Sequence, residues 1–175
     1  MANFKVIFGD ITDANVDAVV NAGKPSLTGG SGVDGAIHKA AGLDVLKECL
    51  ALKDFKGVRC FTGSAVITGA GQLRCKYIIH TVGPVYEKRN SSADLLRLSY
   101  TNSIELALKN ECKSIAFPAI SCGKYGYPYD EAVDIAISAL SPYLEKNIEI
   151  YFYIFEESLY EVYIDKIKNK IFRNE

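Results

Sequence analysis

Short apolar runs alternate with longer amphipathic ones along this chain. FKVIF (residues 4–8), DAVVNA (17–22), SAVIT (64–68), KYIIHTV (76–82), SIAFPAI (114–120) and IEIYFYIF (148–155) have the length and composition of strands. Between them, apolar positions recur at helical spacing. Val33, Ile37, Ala40 and Ala41 open one such stretch, and Val45, Leu46, Cys49 and Leu50 continue it beyond Gly42. Residues 93–110, 129–145 and 157–172 read as further helices, the last ending in basic side chains that suit a helix C-terminus. Turn chemistry separates the runs: GDITDAN (9–15) follows the first strand, and Gly83-Pro84 closes the fourth. Strands that are apolar throughout imply a sheet covered on both faces, with much parallel pairing. The expectation is an α/β protein, a three-layer α/β/α sandwich, forming one domain over residues 1–175 without internal repeat or linker.

Composition narrows the function classes. A net charge of −1 offers no global field for nucleic acid or an anionic membrane surface, so neither is expected as a partner. No apolar run approaches the roughly 20 residues of a membrane span, and MANFKVIFGD lacks the regions of a signal peptide. The five cysteines, Cys49, Cys60, Cys75, Cys112 and Cys122, are odd in number and widely spaced. They suggest neither a disulfide framework nor a zinc site, and a reduced cytoplasmic setting is the default. A monomer without metal or cofactor is expected.

The stretch GGSGVDGAIHKAAG (29–42) crowds glycines just ahead of a helix. Glycine loses the most conformational freedom on folding, so the cluster needs a cause: an awkward turn, or close approach of something the backbone must touch. Gly30-Ser31-Gly32-Val33-Asp34-Gly35 matches the dinucleotide fingerprint G-x-G-x-x-G, but its context is wrong. NAGKPSLTG intervenes between the preceding strand and Gly30, and the residues before Asp54 are helical rather than a strand. An NAD-dependent oxidoreductase is therefore disfavoured. What survives is the anion-binding capacity of a glycine loop feeding a helix N-terminus. SCGKYG (121–126) offers a second such loop, and two of them could clasp a diphosphate. In open α/β sheets ligands lie beyond the strand carboxyl ends, where Asp10, Ile11, Asn21, the second loop and Phe155 are expected.

GDIT (9–12), VDAVVNA (16–22), GGSGVDGAIHKAAG, IIHTVGP (78–84) and FPAISCGKYGYP (117–128) occur in the order found in macrodomains, and YIFEESLYEVY fits as well. The chain thus resembles the ADP-ribose-binding macrodomain family, in particular its MacroD-type hydrolase branch. The resemblance implies a mixed six-stranded sheet with ADP-ribose in a cleft above it. Asp10 would accept from the adenine amino group beside the backbone of Ile11, and Phe155 would stack near the base. Gly29, Gly30, Ser31, Gly32, Val33 and Asp34, facing Ser121, Cys122, Gly123, Lys124, Tyr125 and Gly126, would wrap the diphosphate and distal ribose, with Tyr125 against that ribose. Asn21 and Ala22 would line the site at the second strand end, Asn21 bracing it. The resemblance implies hydrolysis of an ester between ADP-ribose and a protein Asp or Glu side chain, or of O-acetyl-ADP-ribose, by a held water. Asp34 is the implied catalytic residue, and mono-ADP-ribosylated proteins are the implied partners.

One position departs from the family. Its usual N-A-A-N reads Asn21-Ala22-Gly23-Lys24 here, so an ammonium that only donates replaces an amide that donates and accepts. Lys24 opens the alternative of a non-catalytic ADP-ribose reader; its own bland reading is an exposed loop lysine. Ser31 and Lys124 are smaller departures. Taken singly, Asp10 reads as a turn-former or N-cap, Phe155 as core, Tyr125 and Tyr127 as loop packing, and His38 and His80 as structural histidines. Cys122 as a nucleophile would need a base that the sequence does not supply.

Overall fold

The computed structural model describes residues 3–88 and 92–173. Six strands, β1 (Lys5–Phe8), β2 (Ala18–Ala22), β3 (Ala65–Gly69), β4 (Tyr77–Thr81), β5 (Ser114–Phe117) and β6 (Glu149–Ile154), form one sheet in the order β1-β6-β5-β2-β4-β3. All neighbours pair in parallel except β3, which runs antiparallel to β4. Five α-helices accompany them: α1 (Gly32–Ala41), α2 (Leu43–Ala51), α3 (Ser92–Lys109), α4 (Tyr129–Leu140) and α5 (Glu157–Arg173). Among the described residues, no helix is long and apolar enough to cross a membrane.

Alternation along the strands feeds two cores. Ala18 and Val20 of β2, Ile79 of β4, Ile115 and Phe117 of β5 and Phe152 of β6 pack with α3, α4 and α5. Val19, Ile78 and Ala116 point the other way, against Ile37 and Ala41 of α1 and Val45 and Cys49 of α2. This is the expected three-layer α/β/α sandwich with a mixed six-stranded sheet.

Local breakers set the differences from the sequence reading. Gly42 at φ 91° splits one helical run into α1 and α2. Pro142 enters the first turn of a 3₁₀ segment, Ser141–Glu145, that replaces the end of the fourth predicted helix. The run SIAFPAI leaves the sheet after Phe117, because Pro118 has no N–H for the ladder. FKVIF is not a strand covered on both sides. As β1 it sits at the sheet edge, paired only with β6, and Ile7 and Phe8 are largely exposed.

Five of the six strands run in the same direction, so β1, β6, β5, β2 and β4 open their carboxyl ends along one edge. The ring of Phe152 anchors the layer behind that edge, 4.7 Å from Tyr163, 5.4 Å from Phe4 and 6.2 Å from Phe117 between centroids. Replacing it with alanine leaves a cavity that rigid strands cannot close. Phe152→Ala is expected to lose about 3–5 kcal/mol in urea denaturation; an unchanged midpoint would show that the layer is not closely packed there.

Candidate ligand site at the strand ends

The glycine loop folds tightly onto the first turn of α1. Gly35 presses against the loop so closely that a Cβ there would meet the Gly30 carbonyl oxygen at 2.4 Å. Gly29 and Gly32 adopt φ of 81° and 62°, a left-handed backbone that other residues rarely adopt. Both sequence-level causes for the cluster are therefore present within the chain itself: turn geometry and backbone-to-backbone approach. Ser31 occupies the N-cap position of α1, yet its hydroxyl makes no capping hydrogen bond. The main-chain N–H groups of that first turn thus lack a side-chain cap, the arrangement that suits an anion.

Asp34 lies in this turn and is 7% exposed. Asn21, at the end of β2 and wholly buried, donates from Nδ2 to Asp34 Oδ1 at 2.9 Å. His38 Nε2, one helical turn on, stands 3.4 Å from the same oxygen. The other oxygen, Oδ2, faces Gly30, where a Cβ would come within 3.1 Å. One carboxylate oxygen is thus anchored inward and the other turned toward the loop. Four buried side-chain polar atoms without a partner occur among the described residues: Asn21 Oδ1, His38 Nδ1, His38 Nε2 and Arg59 Nε. Three of them surround Asp34, and such concentrations mark sites rather than ordinary core.

The second loop leans on the segment that follows β4. Ser121, buried at φ 66°, donates its hydroxyl to the Pro84 carbonyl at 2.7 Å, and Tyr86 N–H donates to the Tyr125 carbonyl at 2.8 Å. Gly83 is required for this contact, since a Cβ there would lie 2.3 Å from Ser121 Oγ. The loop reverses through a Gly126 N–H to Gly123 carbonyl bond of 3.0 Å, with open space around both glycines. Because β2 lies between β4 and β5, the loops beyond these strands emerge side by side.

At the other end of the edge, Asp10 is exposed and caps a 3₁₀ turn, Ile11–Asp13. Its Oδ1 accepts from Thr12 N–H at 2.9 Å and from the Thr12 hydroxyl at 2.7 Å. The N-cap reading of Asp10 therefore holds, and its second oxygen lies outside that cap. Ile11 is buried, and the turn packs on α1. Phe155, directly after β6, is 75% exposed and is not core. Tyr127 is core, buried edge-on to Tyr86 at 5.0 Å, whereas Tyr125 is half-buried. Lys24 is exposed and forms no ion pair with Asp34; its carbonyl accepts from Leu27 N–H at 2.9 Å.

Cysteine chemistry is absent from this arrangement. Burial pushes the Cys122 thiol up to about 12, and its sulfur lies 3.6 Å from the Ile120 carbonyl rather than beside a base. What the sequence did not reveal is a buried group behind Asn21. His80 Nδ1 lies 3.2 Å from Asn21 Nδ2, while His80 Nε2 is 2.9 Å from Thr68 Oγ1 and 3.7 Å from Cys49 Sγ. Potential ligand atoms of His38, Cys49 and His80 all fall within 4.8 Å of one another. Both nitrogens of His80 already have hydrogen-bond partners, however, and burial holds the Cys49 thiol at about 11. A hydrogen-bonded neutral histidine describes the group better than a metal centre.

Comparison with known proteins places this geometry in a family. A macro domain-containing protein of Vibrio parahaemolyticus is 45% identical over 163 residues, covering 93% of this chain and 96% of the relative. A Citrobacter rodentium protein named O-acetyl-ADP-ribose deacetylase is 48% identical over 162 residues, covering 90% and 91%. Among solved structures, the Oceanobacillus iheyensis macrodomain with ADP superposes with a TM-score of 0.92 at 39% identity, covering 98% of this chain and 94% of that one. The Trypanosoma brucei macrodomain in complex with ADP-ribose gives 0.85 at 38% identity, covering 94% and 69%. The sequence model of the Macro domain matches residues 20–136, and the chain belongs to the macrodomain family.

Proposed function

We propose that this protein binds ADP-ribose across the strand ends and hydrolyses an ester carried on its distal ribose. The substrate is either O-acetyl-ADP-ribose or ADP-ribose linked to a protein Asp or Glu side chain. The observation that carries the reading is Asp34: a nearly buried carboxylate in the uncapped first turn of α1, tied down through one oxygen by Asn21. Family membership, relatives named for O-acetyl-ADP-ribose deacetylation and structural neighbours holding ADP or ADP-ribose support the same ligand.

In this reading the exposed ring of Phe155 stacks on the adenine, and the outer oxygen of Asp10 accepts from its amino group beside Ile11. Main-chain N–H groups from Gly29 to Val33, and those of Ser121, Gly123, Lys124 and Tyr125 in the loop that Cys122 and Gly126 close through their own N–H bonds, grip the diphosphate, because uncapped amides and the α1 dipole favour anions. Ser121 contributes through its main chain, since its hydroxyl is committed to Pro84. Ala22 lines the distal ribose, with Lys124 and Tyr125 opposite, and the wholly buried Asn21 braces the site from behind. A negative charge beside a diphosphate is costly in the ground state. That cost fits a carboxylate that orients a water and stabilises positive charge on the ribose as the ester bond breaks. With a protein-linked substrate, water adds to the anomeric carbon and the side-chain carboxylate departs. With the acetyl ester, water adds to the acyl carbon and the ribose hydroxyl departs.

The rival reading, an ADP-ribose reader without turnover, rests on Lys24. Lys24 takes the place of the family's second asparagine, but it is exposed and makes no ion pair with Asp34, so the carboxylate keeps its bond from Asn21 and is not neutralised. The site therefore keeps its catalytic group, and we favour hydrolysis.

Calorimetry with ADP-ribose and a de-modification assay on both ester classes test the proposal. Asp34→Asn is expected to lower turnover by about 100-fold or more. Its ADP-ribose affinity should be unchanged or raised, since the lost charge faced a diphosphate. Binding without any hydrolysis by the unaltered protein would establish the reader instead. Lys24→Asn should increase turnover if the ammonium reaches the ribose; an unchanged rate would leave Lys24 a solvent-facing loop residue. With a protein-linked substrate in water carrying heavy oxygen, the label should appear on ADP-ribose, and its recovery in the released carboxylate would reject attack at the anomeric carbon.

A further inference from the structure

A polar row crosses three strands beneath Asp34, in a layer otherwise apolar. Asn21 of β2 and His80 of β4 are register partners, and Thr68 of β3 lies diagonally beyond His80. All three point toward α1 and α2, and all are buried: Asn21 and His80 completely, Thr68 to 6% exposure. Such a row persists in a core when its donors find acceptors, and here they do, with the Asn21 Oδ1 acceptor left over.

Here the matching fixes the direction of every bond. Thr68 Oγ1 donates its only proton to the Gly69 carbonyl at 2.9 Å. With the proton there the hydroxyl accepts from His80 Nε2, also at 2.9 Å, and the Asn21 end requires the same tautomer, because its Nδ2 can only donate to Nδ1 and the ring proton is left to Nε2. Burial drives the His80 pKa down to about 3, with His38 lowering it further, so the ring is neutral and Nδ1 is an acceptor. Nδ1 can then receive one Nδ2 proton of Asn21 at 3.2 Å, and the second proton of that amide goes to Asp34 Oδ1 at 2.9 Å. Turning the Asn21 amide around would set its oxygen against both a carboxylate and a ring lone pair. The network forbids that orientation.

We infer that Thr68 and His80 are positioning residues for Asp34: the Thr68 hydroxyl selects the His80 tautomer, which orients the Asn21 amide and thereby aims the carboxylate. The inference rests on the catalytic role proposed for Asp34. It deepens that role by tracing its alignment to Thr68 of the antiparallel edge strand β3.

Removing the hydroxyl while keeping the shape isolates the effect. In Thr68→Val, Nε2–H keeps only the weak Cys49 sulfur as acceptor, the Nδ1–H tautomer becomes competitive, and that tautomer repels the Asn21 amide. Turnover of O-acetyl-ADP-ribose should fall about 10-fold, on the scale typical of groups that orient a functional side chain through another. KM and ADP-ribose affinity should hold, and Thr68→Ser, which restores the hydroxyl, should recover most of the rate. Full activity in Thr68→Val, or equal losses in both variants, would overturn the inference. So would a joint fall of ADP-ribose affinity and melting temperature, which would make Thr68 merely structural.

Nitrogen NMR of the histidine-labelled, unaltered protein decides the chain of bonds independently of turnover. His80 should be neutral with its proton on Nε2 from about pH 5 to 8, with His38 and Asp34 on α1 and Cys49 on α2 as the titratable groups facing it. A proton on Nδ1, or a charged ring, would overturn the relay even in an active enzyme. Absence of hydrolysis by the unaltered protein would instead remove the catalytic reading, and the positioning role with it, whatever tautomer is found.

Discussion

A carboxylate drawn almost wholly out of water must be met by a donor, and in this fold the donor is the Asn21 amide. The 2.9 Å bond from Asn21 to Asp34 joins the end of β2 to the first turn of α1, two elements separated by a nine-residue excursion (residues 23–31). Much of the local structure serves that junction. Gly30 leaves the carboxylate room, since a Cβ there would come within 3.1 Å of it. Gly35 lets the returning loop lie directly on the helix. The glycine cluster is thus a consequence of seating one acidic side chain beneath a loop whose amides remain uncapped.

The sheet supplies the rest of the arrangement. Parallel strands present their carboxyl ends together, so Asp10, Asn21, Ser121 and Phe155, far apart in sequence, share one edge. Each of the two loops is braced from behind rather than from the cleft. The first rests on Asn21 and His38, and the second on Gly83, Pro84 and Tyr86. The bracing uses side chains and carbonyls that point inward. The first turn of α1, without a side-chain cap, and the exposed ring of Phe155 are left free of that bracing, a division suited to an elongated ligand with an anionic middle.

Electrostatic context separates the reactive candidates. Burial raises the Cys49, Cys60, Cys75 and Cys122 thiols and leaves them protonated at neutral pH, so they behave as small core residues. Burial acts oppositely on His80, which it keeps neutral and confines to hydrogen bonding. Asp34 alone among these groups combines burial, a fixed orientation and an oxygen turned toward the loop. Lys24, the position at which the family pattern breaks, stays at the surface and leaves that combination intact.

From the sequence by itself came the alternation of strands and helices, the two glycine loops, and the motifs that identify Asp10, Asn21, Asp34 and Phe155. Those features are local: periodicity, turn chemistry and residue type act within a few positions of the chain. Three things escaped it. The exposure of β1 depends on which strand takes the sheet edge. The support of Ser121 by Gly83 and Pro84 depends on two loops becoming neighbours. The row Thr68–His80–Asn21 exists only once β3, β4 and β2 are set in register. A threonine in AVITG and a histidine in YIIHT each look like isolated polar interruptions of apolar strands, and no spacing along the chain connects them. Tertiary packing decided their role, because a buried hydrogen-bond donor takes its meaning from the acceptor that folding brings opposite it.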